Sequence, residues 1–598
     1  MKLLYATRFH IYILALLLTA LIPGAASAFS TDKYATESAL ANGKWVKVSV
    51  ESTGMHFIPA STLRSWGFSN PEKVRIHGYG GARIADLLSA SGYIDDLPPV
   101  ASRASAAGVY FYAVGPVAWR TVNSRYVHTL NPYSTKGYYF ITEADDEAPS
   151  VRVEGLTSQP VNPVNSFTER LWHEEDIVSL GNTGLQLFGE DFRYSPSRNF
   201  KFTLAGRVDN TPVWMRTRFV VNAPSASTLS ITANGSQLGT GSNTIGSTTG
   251  DNYGTAGTFD HTFTPEGTSL DVGMRFSAGG TVKAAHLDAI SINYTRAIAI
   301  PASGSLEFEA SRSSVVISGA GAGTTVWDVT DPQNIFALPL TDVSADTKGW
   351  VNSYSGSRRY TAWNDNSRLP APAFVSSVEN QNLHSADNHP DMVIFTISDW
   401  AGEAERLANV HRFSADSLRV MVVNQELVFN EFASGSPDVN AFRKMLKMLY
   451  DRGESADGHR LRYALFMGRP TFDNRVLTSH MKALGQKYMP TWQTDESLRE
   501  TGSYSTDDIF AFLEDNSGRD MSQDTYSIAV GRLPIHSTAE ARTFVDKIIA
   551  YTDPSNIGSW QAQTLFQADD GDLAKHMDQK DTTIDSMRTR DAGKAMMV

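Results

Sequence analysis

Residues 390–424 read PDMVIFTISDWAGEAERLANVHRFSADSLRVMVVN, and the fold turns on this stretch. Met392 to Ile397 is a short continuous apolar run, Trp400 to Phe413 has helical spacing, and Leu418 to Val423 is a second apolar run. That order is expected of a βαβ unit, whose parallel strands are buried on both faces. Downstream, Asp438 can cap a helix running to about Tyr450, Tyr463 to Met467 is a strand ending at Gly468, and the sheet resumes at Ser527 to Val530. Ser537 and Glu540 have the spacing of a capping box, which starts a helix running from Thr538 through Tyr551. A last strand is expected at Thr564 to Ala568, then a helix from Leu573 to about Met587.

Upstream of Asp391 the pattern is that of β-structure. Val46, Val48 and Val50 alternate with polar residues before Ser52-Thr53-Gly54 interrupts the run, so Trp45 to Ile58 predicts a hairpin. Alternation returns at Val109 to Val114 and Tyr138 to Thr142. Five more strand signals, Phe200 to Ala205, Trp214 to Val221, Thr228 to Ala233, Leu270 to Phe276 and Ala289 to Tyr294, have the spacing of a β-sandwich. Ser236 to Gly257, dense in Gly, Ser, Thr and Asn, predicts long exposed loops. The expected organisation is a signal peptide (1–28), a β-rich domain (29–160), a β-sandwich (161–300), a β-rich connecting region (301–388) and an α/β domain (389–598).

The chain has 598 residues, 41% of them hydrophobic and 19% charged, a composition that requires sizeable cores and, at roughly 150 residues per domain, several of them. Lys2 and Arg8 precede an apolar run from Ile11 to Ile22 and the small-residue site Ala26-Ser27-Ala28, the three-part layout of a secretory leader cleaved after Ala28. Twelve apolar residues fall short of the roughly 20 that span a bilayer, and no later stretch is apolar enough. The formal charge is −12; the leader carries two bases and no acid, so the mature chain stands at −14, which argues against nucleic-acid binding. Cysteine is absent, so stability outside the cytoplasm does not rest on disulfides. Asn234-Gly235-Ser236 and Asn293-Tyr294-Thr295 match a glycosylation acceptor but read as turn or strand residues.

A set of loop signatures runs through the α/β segment in order. They are Pro390-Asp391-Met392-Val393-Ile394, Phe429-Asn430-Glu431-Phe432, Gly435-Ser436-Pro437-Asp438, Ala464-Leu465-Phe466-Met467-Gly468 and Pro490-Thr491-Trp492-Gln493-Thr494. Tyr504-Ser505-Thr506-Asp507-Asp508, Gly531-Arg532-Leu533-Pro534 and Ala568-Asp569-Asp570-Gly571-Asp572 follow. Together they resemble the gingipain-like family of secreted cysteine peptidases. The N-terminal half, through Trp45-Val46-Lys47-Val48, Arg75-Ile76-His77-Gly78, Asn131-Pro132-Tyr133, Tyr138-Tyr139-Phe140, His173-Glu174 and Trp327-Asp328-Val329-Thr330-Asp331-Pro332, is similar to the sortases of type IX secretion within that family. The resemblance implies β-rich N-terminal domains including a β-sandwich, followed by a caspase-like α/β domain. It also implies an exported enzyme at the outer-membrane surface or beyond, with exported cargo and outer-membrane secretion components as partners and no cofactor.

Such peptidases use a thiolate, an imidazole and an oxyanion hole. In the family the His-Gly and Cys motifs follow the segment matching Ala568 to Asp572, so the expected α/β domain is incomplete here and no catalytic residue is assigned. His576, on a predicted helix and outside a His-Gly context, reads as a surface residue. Asp569, Asp570 and Asp572 could supply oxygen ligands to calcium, but an Asp/Gly turn capping the next helix is the favoured reading; Asp507 and Asp508 read in the same way. The metal question stays open. Gly319 to Gly323 lacks a following Lys and reads as a turn, and His173-Glu174-Glu175-Asp176 lacks the second His of a zinc hydrolase. His384 and His389 read as solvated loop residues, and no Gly-x-Ser-x-Gly occurs. Two functions remain: the N-terminal portion of a sortase-type peptidase, or a noncatalytic surface-binding protein with a degenerate peptidase domain.

Overall fold

The computed structural model describes residues 29–145, 151–239, 243–311, 314–352, 356–415 and 417–590. The leader therefore lies outside the described residues. Among those described, no helix is long and apolar enough to cross a membrane.

The βα pattern becomes a four-stranded parallel sheet. In this unit β1 is Met392–Thr396, β2 Val420–Asn424, β3 Tyr463–Met467 and β4 Ala529–Leu533, in the order β2-β1-β3-β4. Met392 pairs with Val420 on one side and Tyr463 on the other, and Tyr463 pairs with Ala529. Every residue of β1 is buried, as its uninterrupted apolar run requires of an interior parallel strand. The helices are α1 (Ala401–Arg412), α2 (Gln425–Phe432), α3 (Asn440–Asp451), α4 (Ser479–Leu484), α5 (Thr538–Thr552) and α6 (Gly571–Arg590). α1 packs on α5, and α3 drives Phe442 edge-on against Phe466, with ring centroids 5.3 Å apart, and against Phe395 at 4.9 Å.

Three sequence readings here are corrected. Thr564 to Ala568 forms no strand with any of the described residues, and its side chains are largely exposed. α2 went unforeseen because Gln425–Phe432 follows β2 without a break, and Asn424 serves as both strand end and helix cap, accepting from Glu426 N at 3.1 Å. The strand expected at Ser527 begins later, at Ala529. Ser537 caps α5 by accepting from Glu540 N, as expected, but the Glu540 carboxylate accepts from His536 N rather than from the cap residue.

Strands between residues 166 and 297 build a sandwich. One sheet runs Ser166–His173, Ala284–Ala297, Val213–Asn222, Thr255–Phe263, and the other runs Ser197–Thr203, Ser269–Ala278, Ser227–Ala233, Ser236–Gln237. Alternate residues of Ser227–Ala233 point inward, placing Leu229 and Ile231 against Met215, Phe219 and Val272. The Gly/Ser-rich stretch holds short strands at Ser236–Gln237 and Asn243–Ile245, since both find open edges beside Ser227–Ala233. Asn293 is a buried strand residue, and Asn234 sits in a turn at φ +48°.

The expected hairpin at 45–58 does not form. Trp45–Val50 pairs with Gly137–Glu143 and Ala373–Val378, whereas Gly54–Pro59 pairs with Gly108–Ala113 in a different sheet. All six residues of Trp45–Val50 are buried, so the strand is interior and needs two neighbours. Gly54, at φ +142°, lets the chain turn a corner between sheets that share a core of Val48, Ile58, Phe111 and Ile141. A third β unit centres on Trp350, Phe308 and Tyr360. Gly319, at φ +68°, is a turn residue there, as expected.

Phe442 is the keystone of the α/β aromatic cluster, so Phe442→Ala should lower unfolding free energy by about 3–5 kcal/mol, read by urea denaturation.

Candidate functional site

α3 explains how the α/β unit is held. Phe442, Met445, Leu446 and Leu449 form its apolar stripe, and Arg443, Lys444 and Lys447 lie on the opposite face. Both faces are buried. Lys444 Nζ donates to Ile94 O at 2.7 Å and Phe432 O at 2.9 Å; Arg443 donates to Phe512 O, to Ser517 Oγ and to Asp86 O. Burial pushes Lys444 down to about 8 and Arg443 down to about 10. Opposite them Lys47, from the Trp45–Val50 strand, donates to Asn430 Oδ1 at 3.1 Å and Gly435 O at 2.8 Å. Asp438 accepts from Asn440 N and Ile84 N, each at 2.9 Å, and burial pushes it up to about 6. It braces the start of α3 as expected, although Val439 takes the cap position.

His384 is also part of this seam, contrary to the solvated-loop reading. Its side chain is fully buried and stacked on Phe432 with centroids 4.3 Å apart. Nδ1 lies 2.6 Å from Glu431 Oε2 and Nε2 lies 3.3 Å from Asp95 Oδ1. A polar loop residue was drawn inward because Glu431, on the buried side of α2, needs a positive partner. His389 is half-buried.

Asp96, His384 and Glu431 are the one group among the described residues whose ligand atoms lie close enough to hold a metal ion. Their hydrogen bonds argue otherwise. Glu431 Oε1 accepts from Gln381 Nε2 and Leu383 N, and Asp96 accepts from Ser38 Oγ and Ala39 N. Both ring nitrogens of His384 face carboxylates, so the imidazolium donates from each and offers no lone pair. Burial depresses His384, but the hydrogen bonds to Asp95 and Glu431 outweigh it and lift the ring to about 9. The same burial pushes Asp96 up to about 6.

The carboxyl ends of β1, β2 and β3 open onto a cavity of about 400 Å³ lined by Ser398, Asn424, Gln425, Glu426, Thr471 and Asn474. This is the position at which open α/β sheets bind ligands. Gln425 Oε1 and both amide atoms of Asn474 are buried there without protein partners. Such groups can hold a peptide backbone. Among the described residues the cavity lining holds no histidine, and the chain has no sulfur nucleophile to offer it. His480 lines a neighbouring cavity of about 240 Å³. His576 is exposed on α6, and Asp569 accepts from Gly571 N at 3.2 Å, the turn expected of it.

Asp507 departs from the helix-cap reading. Its carboxylate takes a fork from Arg532, with Nε to Oδ2 at 2.7 Å and Nη2 to Oδ1 at 2.8 Å, and also accepts from Thr491 Oγ1 at 2.6 Å. Arg532 continues to Gly468 O, Met489 O and Pro490 O. One guanidinium thus ties together four of the quoted signatures at the edge of the crevice. Asp508 opens a short helical turn, and its backbone N donates to Thr506 Oγ1 at 3.0 Å.

A third cavity, about 620 Å³, lies where residues 117–130, the sandwich and the α/β unit meet. Of the His173 to Asp176 run only Glu174 and Asp176 line it, Glu174 lying 2.8 Å from His128 and Asp176 pairing with Arg475 at 2.5 Å, whereas His173 bonds Glu190 at 2.6 Å. No zinc set forms. Arg218 holds Asp288, yet burial pushes Asp288 up to about 7 and Glu174 up to about 8, and pushes His128 down to about 4.

Residues 385–595 match the family model of Peptidase family C25, bearing out the gingipain-type resemblance of the loop signatures. The crystal structure of dimeric latent PorU from Porphyromonas gingivalis is 28% identical with TM-score 0.79, covering 91% of this chain and 53% of that one. The chain thus spans about half the length of that protein. A family 35 carbohydrate binding module from Clostridium thermocellum (10% identity, 23% of this chain, 98% of that one, TM-score 0.15) superposes too poorly to bear on function. The same holds for a β-porphyranase from Bacteroides plebeius (11% identity, 43% of this chain, 35% of that one, TM-score 0.16). No curated protein matches the chain.

His384 in the seam and Arg532 at the crevice edge make two of these contacts testable. The folded-state pKa of His384 exceeds the unfolded value of about 6.5, so its contribution is complete below about 6.5 and is lost as pH rises through about 9. His384→Gln should cost about 3–5 kcal/mol at the acid end of that window and abolish the decline across it, read by urea unfolding against pH. Arg532→Lys keeps the charge but not the fork, and should cost about 1.5–3 kcal/mol in the same assay.

Proposed function

We propose that these residues are the N-terminal portion of an exported gingipain-like cysteine peptidase that serves as a sortase of type IX secretion, cleaving C-terminal sorting domains from exported cargo. The observation that carries the reading is the likeness to PorU over 91% of the chain. The C25 match over 385–595 agrees with it. The leader read at 1–28 belongs to the same proposal, as does the division at residues 160, 300 and 388. In this reading the α/β unit supplies the floor and one wall of the active site, the crevice at the carboxyl ends of β1 to β3. The thiolate and its imidazole partner lie outside these 598 residues. The β units fix the crevice relative to the cargo and to outer-membrane partners.

A noncatalytic surface-binding protein is the second reading, favoured by the absence of cysteine and by the cavity of about 620 Å³ that the β units help to line. Sequencing the gene beyond the codon for Val598 separates the two: a His-Gly motif followed by a Cys supports the peptidase, and a stop codon at that point removes it. The 598-residue polypeptide by itself should cleave no sorting-domain peptide. Turnover that a thiol reagent abolishes would contradict the assignment of the nucleophile to other residues.

A further inference from the structure

Phe29 is the first residue that the leader reading assigns to the mature chain, and its backbone nitrogen lies 2.9 Å from Asp515 Oδ2. Asp515 belongs to a charge cluster at the C-terminal end of α3. Lys447 Nζ bridges Asp451 Oδ1 and Asp515 Oδ1, each at 2.7 Å, with its side chain 2% exposed. Tyr34 donates its hydroxyl to Asp451 Oδ2 at 2.6 Å. Two carboxylates therefore share one ammonium. Burial, followed by the neighbouring Asp515 charge, holds Asp451 above the usual carboxylate range despite its bonds to Lys447 and Tyr34. The cluster is short of positive charge.

The Phe29 ring fixes the position of its own backbone nitrogen. Its centroid lies 4.7 Å from Lys447 Nζ, 5.1 Å from Tyr93 in an edge contact and 6.2 Å from Tyr34 in a stack. From there the chain runs as a strap across the seam between units: Ala35 N donates to Asp95 Oδ2 at 2.7 Å, Arg452 donates to Ala35 O at 3.1 Å, and Ser38 N donates to Asn382 Oδ1 at 3.0 Å.

We infer that removing the leader creates an ion pair: the α-ammonium of Phe29 seats on Asp515 and supplies the second positive charge that the Asp451–Asp515 pair lacks. This rests on the leader reading above. Hydrolysis of the Ala28–Phe29 amide by a signal peptidase consumes one water, leaves a carboxylate on Ala28, and leaves on Phe29 an amine carrying the proton. Before cleavage the amide N–H donates one hydrogen bond and brings no charge; afterwards the same nitrogen brings a full charge into a half-buried site, where an ion pair is screened less than at the open surface. Export and the anchoring of the strap are thereby coupled. The groups facing the new terminus are Asp515, Asp451, Lys447, Tyr34 and Tyr93, with Glu514 and Tyr450 paired beside them. Acid exceeds base among them, so the amine should titrate above the ordinary α-amino range.

The test is competitive labelling of the α-amine with trace acetic anhydride across pH, on three proteins: the exported chain, the chain beginning at Phe29 after scar-free removal of a fusion tag, and the chain retaining Ala28 as its first residue. A Phe29 terminus should titrate about one pH unit or more above a free α-amine. The Ala28 form, with every side chain in place, should return to about 7.7–8.0, and so should Asp515→Asn. A Phe29 amine that titrates in the ordinary range and labels as fast as the Ala28 form overturns the site. Mass spectrometry of the exported chain reads the other premise separately: a first residue other than Phe29 overturns the leader assignment, and the tag-derived Phe29 terminus still decides whether the site exists.

Discussion

Buried charge on α3 is the constraint on which the arrangement depends. Arg443, Lys444 and Lys447 are each at most 3% exposed, on the face that an isolated amphipathic helix would give to water. Removing those charges from water is costly unless each finds its acceptors. The acceptors come from elsewhere: the carbonyls of Asp86 and Ile94 in the first β unit, the carbonyls of Phe432 and Phe512, and the Asp451–Asp515 pair. The α/β unit and the β unit can therefore meet in only one register, because a shift by one residue would strand several charges together.

The crevice inherits that precision. The seam runs through α2 and the turn to α3, and α2 begins at Gln425, whose side chain lines the cavity beyond β2. His384 adds a second tie, pinning the loop before β1 to Glu431 on the same short helix. On the far side Arg532 performs the equivalent task for the segments after β3, gathering Gly468, Met489, Pro490 and Asp507 around one planar cation. A crevice needs walls that do not drift if it is to hold a ligand in one pose, and charge-assisted, multiply bonded groups supply them.

The loop signatures acquire a physical meaning in these contacts. Lys47 of Trp45-Val46-Lys47-Val48 reaches Asn430 of Phe429-Asn430-Glu431-Phe432 and Gly435 of Gly435-Ser436-Pro437-Asp438, more than 380 residues away in sequence. Arg532 of Gly531-Arg532-Leu533-Pro534 joins Asp507 of Tyr504-Ser505-Thr506-Asp507-Asp508. Residues that looked like scattered family markers are the matched halves of buried polar contacts.

Periodicity was enough to determine the parallel strands at Met392–Thr396 and Tyr463–Met467, the helices α1, α3 and α5, and five of the sandwich strands, though not Ser166–His173 or Thr255–Phe263, because alternation and helical spacing report locally which face meets an apolar core. The absence of a sulfur nucleophile was legible in the composition. Tertiary structure alone decided that Trp45–Val50 and Gly54–Pro59 part into different sheets, that His384 is a buried cation, that Asp507 serves Arg532 rather than a helix end, and that the polar face of α3 is interior. Each of these depends on a partner supplied from a distant part of the chain, and neither local pattern nor residue type encodes which distant atom will lie within hydrogen-bonding reach.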